Sequence, residues 1–162
     1  MSNQADNKNT PELVLMMGLP AAGKSYVREN MFLGTHSFID CDTIKETMPE
    51  YDPLNPQTVH EESKLLCHQM MLDLFENPTN AVYDSTGTNS EKMKTYIHMA
   101  QAAGMTTRLV FVDVSIETSI YRNANRPRVV PEHIIRTKAQ QIYESYDIVS
   151  SLTDSIERVL NE

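Results

Sequence analysis

Apolar positions in this chain fall into short unbroken runs separated by longer amphipathic stretches. Leu13 to Met17 is a continuous apolar run that stops at Gly18, the pattern of a strand buried on both faces of a parallel sheet. Ser37 to Asp40, Ala81 to Asp84 and Arg108 to Asp113 predict three further strands. Ile156 to Leu160 reads as a fifth strand or a frayed helix, with the strand preferred. Helical spacing fills the intervals. One helix runs from Lys24 to about Phe32 and closes at Gly34. A second opens at the capping box Thr58-Val-His-Glu61 and continues to about Glu76, with Val59, Leu66, Met70 and Leu74 on one face. A third, capped by Ser90, ends at Gly104 and turns Met93, Ile97 and Ala100 inward. A fourth runs from about Ile116 to a point before Pro127, and a fifth has Pro131 at its first position and extends through Tyr143. The proline-rich stretch Met48 to Pro56 is expected to be loop, and Asn77 to Asn80 a turn.

Strands alternating with helices imply an α/β fold with a parallel sheet of four to five strands and helices on both faces. In such sheets ligands bind beyond the C-terminal strand ends. Gly18, Asp42, Asp84 and Asp113 all lie at or just past those ends.

With 162 residues the chain fits one domain, expected over 11–162 after a disordered tail at 1–10. Apolar runs of about five residues are far short of a membrane span, and the polar N-terminus has no signal core. Cys41 and Cys67, without metal spacing, suit reduced thiols and a cytoplasmic setting. The formal net charge of −8 repels nucleic acid in bulk, although a local basic cleft could still hold a strand or a nucleotide.

Gly18-Leu19-Pro20-Ala21-Ala22-Gly23-Lys24-Ser25 matches G-x-x-x-x-G-K-[ST] in full. The glycines let successive N–H groups curl inward as an anion nest, and helix onset at Lys24 adds a positive dipole end. Lys24 reaches β and γ oxygens, and Ser25 supplies a hydroxyl for Mg²⁺. The pattern predicts a P-loop sandwich of three layers that binds ATP or GTP with Mg²⁺. Its alternative, a glycine turn with a capping serine, lacks a reason for the strand before it and the helix after it.

Three further groups bear on the fate of the γ-phosphate. Asp42 follows the second strand, where a carboxylate can accept the proton of an attacking hydroxyl or cap the helix at Thr43. Asp40 should point the other way along the strand. Lys45 shares a helical turn with Asp42 and either holds an acceptor phosphate or sits in solvent. Asp84, opening Asp84-Ser-Thr86-Gly-Thr-Asn89, is the favoured candidate for a Mg²⁺ ligand through water; Asp113 competes for that role, and an Asx turn is the alternative for both and the preferred reading of Asp113. Between residues 122 and 138, Arg122, Arg126, Arg128, Arg136 and Lys138 face Glu132 alone. Such a segment in an acidic chain suits a basic helical lid over phosphates, or else a solvated charged face. The five histidines show no metal spacing, and the ten methionines read as core filler.

Taken together, the P-loop, Asp42-Thr-Ile-Lys45, Asp84-Ser-Thr-Gly-Thr-Asn89 and Arg122-Asn-Ala-Asn-Arg126 with Val130-Pro131 resemble the small P-loop kinases that include the phage-type 5′-hydroxyl polynucleotide kinase. The resemblance spans about Leu13 to Tyr146. It implies that Asp42 is the general base, that Arg126 and its neighbour Arg122 bind donor phosphates, that Lys45 and Thr86 stand on the acceptor side, and that no phosphatase domain accompanies the kinase. Two positions depart from the family pattern: Lys45 stands where arginine is common, and Gly87 follows Thr86 where asparagine is common. The expected function is ATP-dependent transfer to the 5′-OH of DNA or RNA. A small-molecule kinase acting on a nucleoside, sugar or antibiotic is the alternative. A nucleotide switch or ATPase fits less well, because no Asp-Glu pair follows an apolar strand to polarise water.

Overall fold

The computed structural model describes residues 10–52, 54–127 and 129–162. Five strands form one parallel sheet: β1 (Glu12–Met17), β2 (Ser37–Asp40), β3 (Ala81–Asp84), β4 (Thr106–Asp113) and β5 (Ser155–Leu160). Their spatial order is β2-β3-β1-β4-β5, so β1 lies at the centre and the P-loop that follows it emerges mid-sheet. Leu13 pairs with Ala81 on one side and Thr107 on the other, and the register continues to Met16 opposite Asp84 and Val110. Flanked on both edges and both faces, Leu13 to Met17 are wholly buried, which is why this run carries no polar alternation.

The helices are α1 (Lys24–Phe32), α2 (Cys41–Glu46), α3 (His60–Glu76), α4 (Ser90–Ala102), α5 (Ile116–Ala124) and α6 (Glu132–Val149). Alternate strand residues feed two cores. Leu13, Leu15, Met17, Leu109 and Phe111 pack against Cys67 and Met71 of α3, Tyr96 and Ile97 of α4, and Ile135 and Ile142 of α6. On the opposite face Val14, Met16, Val82 and Val110 meet Val27 and Phe32 of α1. The sandwich of three layers is present, with its helices shared unequally between the faces.

Several boundaries differ from the sequence expectation. A 3-10 turn over Pro56–Val59 precedes α3, so Thr58 does not cap it; the Thr58 hydroxyl bonds back to the Asn55 carbonyl instead. The buried stripe of α3 is Ser63, Cys67, Met71 and Leu74, while Leu66 and Met70 face outward. Asn89, not Ser90, caps α4 by accepting from the Lys92 N–H. Pro131 stands just before α6 rather than in its first turn, and that helix runs on to Val149. Ile156 to Leu160 is a strand, paired in register with Leu109 to Asp113. The expected tail lies outside the described residues apart from Thr10, as do Pro53 of the proline-rich loop and Arg128 of the basic segment.

Candidate active site

The C-terminal strand ends open into a cavity of about 660 Å³. Gly18 to Ser25 form one wall. Asp40, Asp42, Thr43 and Glu46 come from the end of β2 and from α2, Asp84, Ser85 and Thr86 from the end of β3 and the loop after it, Arg126, Pro127 and Val130 from the connection between α5 and α6, and Lys138 from α6. The parallel topology alone brings these segments together, because every strand delivers its following loop to the same rim.

Backbone geometry shapes the P-loop. Ala21 has φ +60° and Gly23 φ +91°, both in the left-handed region. A Cβ on Gly23 would run into the Asn161 side-chain amide, so glycine there is required twice, by φ and by space. Lys24 folds back across the loop: its Nζ donates to the Ser85 carbonyl at 2.9 Å and lies 3.2 Å from Asp84 Oδ1. The β3 loop is stitched alongside, with the Gly18 N–H donating to the Thr86 carbonyl and the Ser85 N–H to the Met16 carbonyl. Gly87, at φ +87°, crosses Met17 so closely that a Cβ would overlap the methionine Cβ. That crossing is the physical reason for glycine after Thr86.

Charges are paired tightly. Arg28, one turn beyond Lys24, lays Nη1 2.7 Å from Asp84 Oδ2 and 3.0 Å from Asp40 Oδ2, and its guanidinium covers the Phe38 ring. Asp84, almost fully buried, thus carries a cation on each oxygen. Asp40 Oδ1 accepts from the N–H groups of Asp42 and Thr43 and caps α2. The capping role considered for Asp42 therefore belongs to Asp40, and Asp42 is exposed on the cavity wall. Asp40 also lines the cavity, because the chain turns into α2 there and strand alternation ends.

Lys45 stands apart from the acceptor side expected of it: it is buried, with Nζ 3.1 Å from His60 Nδ1, and is absent from the cavity lining. Arg122 is also outside the lining, within electrostatic reach of Glu162. Asp113 is clamped by Arg158 at 2.6 Å and by the Tyr143 hydroxyl at 3.2 Å, which makes it a link between β5 and α6 rather than a wall of the cavity. Lys138 reaches the cavity from the segment expected to form a basic lid, whereas Arg28 and Glu46 were not anticipated as site residues; Arg28 was readable in principle, four residues beyond Lys24 on the same helix face.

The two cysteines, 26 positions apart in sequence, meet beneath α2. Cys41 Sγ donates towards Ser63 Oγ at 3.9 Å. Hydrogen bonding from Cys67 holds the Cys41 thiol down at about 6, and the same bond together with burial pushes Cys67 far up. Among the described residues no cluster of three His, Cys, Asp or Glu could hold a metal. No helix of the described residues is long and apolar enough to cross a membrane.

Known proteins share this fold at low identity. A structure from the PezAT chromosomal toxin-antitoxin system of Streptococcus pneumoniae superposes with a TM-score of 0.72 at 14% identity, over 93% of this chain and 69% of that one. A chain of the Pnkp1/Rnl/Hen1 RNA repair complex gives 0.67 at 15%, over 90% of this chain and 48% of the other. A gluconokinase from Sinorhizobium meliloti gives 0.60 at 16%, over 93% and 83%. This chain thus spans about half of the RNA-repair chain and just over two thirds of the toxin-system chain. No curated protein matches the sequence. The Zeta toxin family matches residues 1–160, and the chain belongs to that family, with the five-stranded parallel sheet and nucleotide-binding P-loop of a kinase-like phosphotransferase.

Proposed function

We propose that the chain is an ATP-dependent kinase that transfers the γ-phosphate to an acceptor hydroxyl. One observation carries this reading: a single cavity gathers a P-loop, the exposed carboxylate of Asp42 and the cations Lys24, Arg126 and Lys138. Phosphoryl transfer needs donors around the transferred group and a base at the attacking oxygen, on opposite sides of one space. The nest from Gly18 to Gly23 holds the donor phosphates. Lys24 exchanges its tie to Asp84 for the β and γ oxygens. Arg126 adds charge to the transferring group from the α5 side, with Arg122 as its neighbour. Asp42 takes the proton of the acceptor hydroxyl.

The oxygen donors fit a Mg²⁺ ion brought in by the nucleotide. The Ser25 hydroxyl would hold it directly and Asp84 through water, since both Asp84 oxygens are already engaged by cations. When bound, Mg²⁺ neutralises charge on the β and γ oxygens.

The acceptor proposed first is the 5′-OH of a polynucleotide, DNA or RNA, supported by the order and spacing of the four motifs. A small-molecule acceptor is favoured by a different observation. Asp42 and Glu46 border the acceptor side, and Lys45, the cation expected to grip the acceptor, is turned away against His60. The test is transfer of labelled γ-phosphate to 5′-hydroxyl DNA, 5′-hydroxyl RNA, nucleosides and sugars in parallel, with Asp42→Ala as control. Label on an oligonucleotide selects the first acceptor; label only on a small molecule selects the second. No label on any acceptor, with ATP hydrolysed alone, overturns the kinase reading. The family description raises toxicity to a cell as a biological consequence, which inducible expression of wild type against Asp42→Ala would test.

A further inference from the structure

The P-loop is held from behind by two side chains that do not touch the cavity. Ser119 of α5, wholly buried, donates its hydroxyl to the Pro20 carbonyl at 2.7 Å. Asn161, just past β5, donates Nδ2 to the Ala22 carbonyl at 2.8 Å, and its own N–H donates to the Asp113 carbonyl at 3.0 Å. In a planar trans peptide, C=O and the next N–H point in opposite directions. A carbonyl pinned outward therefore turns the following N–H inward. The pinned Pro20 carbonyl aims the Ala21 N–H, and the pinned Ala22 carbonyl aims the Gly23 N–H. Neither N–H has an acceptor among the described residues. The peptide between them behaves differently, since the Ala22 N–H is used inside the loop by the Leu19 carbonyl at 3.1 Å. Ala21 also sits at a positive φ, which alanine rarely holds unless its surroundings impose it.

We infer that Ser119 and Asn161 are positioning residues for donor-phosphate binding, fixing the two N–H groups of the nest before nucleotide arrives. This rests on the nucleotide reading of the P-loop and extends it to α5 and to the segment after β5. A pre-set nest binds phosphate without first ordering its backbone, so loosening it weakens affinity rather than chemistry. The Asn161 contact also fixes where β5 ends, because its backbone and side chain bridge Asp113 and Ala22 in one residue.

The test compares Ser119→Ala, Asn161→Ala and the isosteric Asn161→Asp, which keeps shape but loses the donor. Thr107→Val is the control, since Thr107 is buried and bonded to Asp154 at the opposite end of β4 and touches no loop of the site. Calorimetric affinity for a non-hydrolysable ATP analogue with Mg²⁺ is measured beside the melting temperature without nucleotide. The expected result is roughly tenfold weaker binding in Ser119→Ala and Asn161→Ala, the size of one lost hydrogen bond. Asn161→Asp should lose more, because a carboxylate set against the Ala22 carbonyl repels it instead of pinning it and adds negative charge behind the nest. Thr107→Val should lose melting temperature and keep affinity. Unchanged affinity in the Ser119 and Asn161 variants, or an equal loss in Thr107→Val, overturns the inference while leaving the nucleotide reading intact. A wild-type chain that fails to bind the analogue overturns both.

Discussion

Arg28 Nη1 lies 2.7 Å from Asp84 Oδ2, and this contact joins the helix after the P-loop to the end of the neighbouring strand. The same nitrogen also meets Asp40 at 3.0 Å, so one guanidinium keeps two strand-end carboxylates at the rim. Without it, Asp84 would retain, among the described residues, only Lys24, the cation proposed above to move to the donor phosphates.

Replacing Arg28 by Met therefore leaves a nearly buried carboxylate half paired. Breaking a buried pair by removing one partner costs about 3 kcal/mol or more. Urea unfolding of Arg28→Met should show a loss of that size at unchanged slope. A loss below about 0.5 kcal/mol would mean that the contact behaves like a solvent-screened surface pair.

Lys24 and Asp42 should separate binding from chemistry. Lys24→Ala should weaken ATP affinity at least tenfold, the scale of a charge-assisted contact to phosphate. Asp42→Ala should cut transfer by about 10² to 10⁴-fold while ATP affinity changes less than threefold, because the base acts on the acceptor. Isothermal titration beside single-turnover transfer checks both. Equal affinity losses in the two variants would contradict the division.

Gly87→Ala should be costly although it adds one methyl. At φ +87° the added Cβ meets the Met17 side chain in a position no rotation relieves. The expected loss is about 1 to 3 kcal/mol in thermal unfolding, together with a rise in acceptor KM as Thr86 shifts. Gly34→Ala is the comparison: its φ is +86°, but nothing lies within 4 Å of the added Cβ, so only the backbone cost remains.

Cys41 should alkylate faster than Cys67. Its thiol titrates near 6, lowered chiefly by the hydrogen bond from Cys67, so the thiolate dominates at neutral pH and protonates as pH falls through about 6. Iodoacetamide labelling followed by peptide mapping should give a Cys41 rate that is flat above pH 7 and drops below pH 6. Cys67, pushed upward by that same bond and by burial, should stay unlabelled in the folded chain.

What could be read before the structure was what local chemistry dictates. Eight consecutive residues encode the P-loop because its geometry depends on which positions lack a Cβ and where the helix begins. The strands were readable because continuous apolar runs have few other uses. The inward face of α3 was not. Leu65, Leu66 and Met70 are apolar yet exposed, while the small residues Ser63 and Cys67 fill the contact with α2, so hydrophobicity pointed one step around the helix. Lys45 looked like a ligand-binding cation, and nothing nearby in sequence announced the distant His60 that takes it. Asn161 lies 139 positions from its carbonyl partner, and a contact so remote leaves no periodicity to detect.

That separation has a consequence in time. A chain leaves the ribosome N-terminus first at roughly 5 to 20 residues per second. The phosphate loop thus precedes by on the order of ten seconds the residue that seats against Ala22. Until then the Ala22 carbonyl lacks its tether, although Ser119 can already seat against Pro20, and the nascent loop is pinned at one of its two carbonyls. If Asn161 sets the nest as inferred above, full setting of the loop waits on completion of the sheet, with the residue just past its last edge strand as the latch.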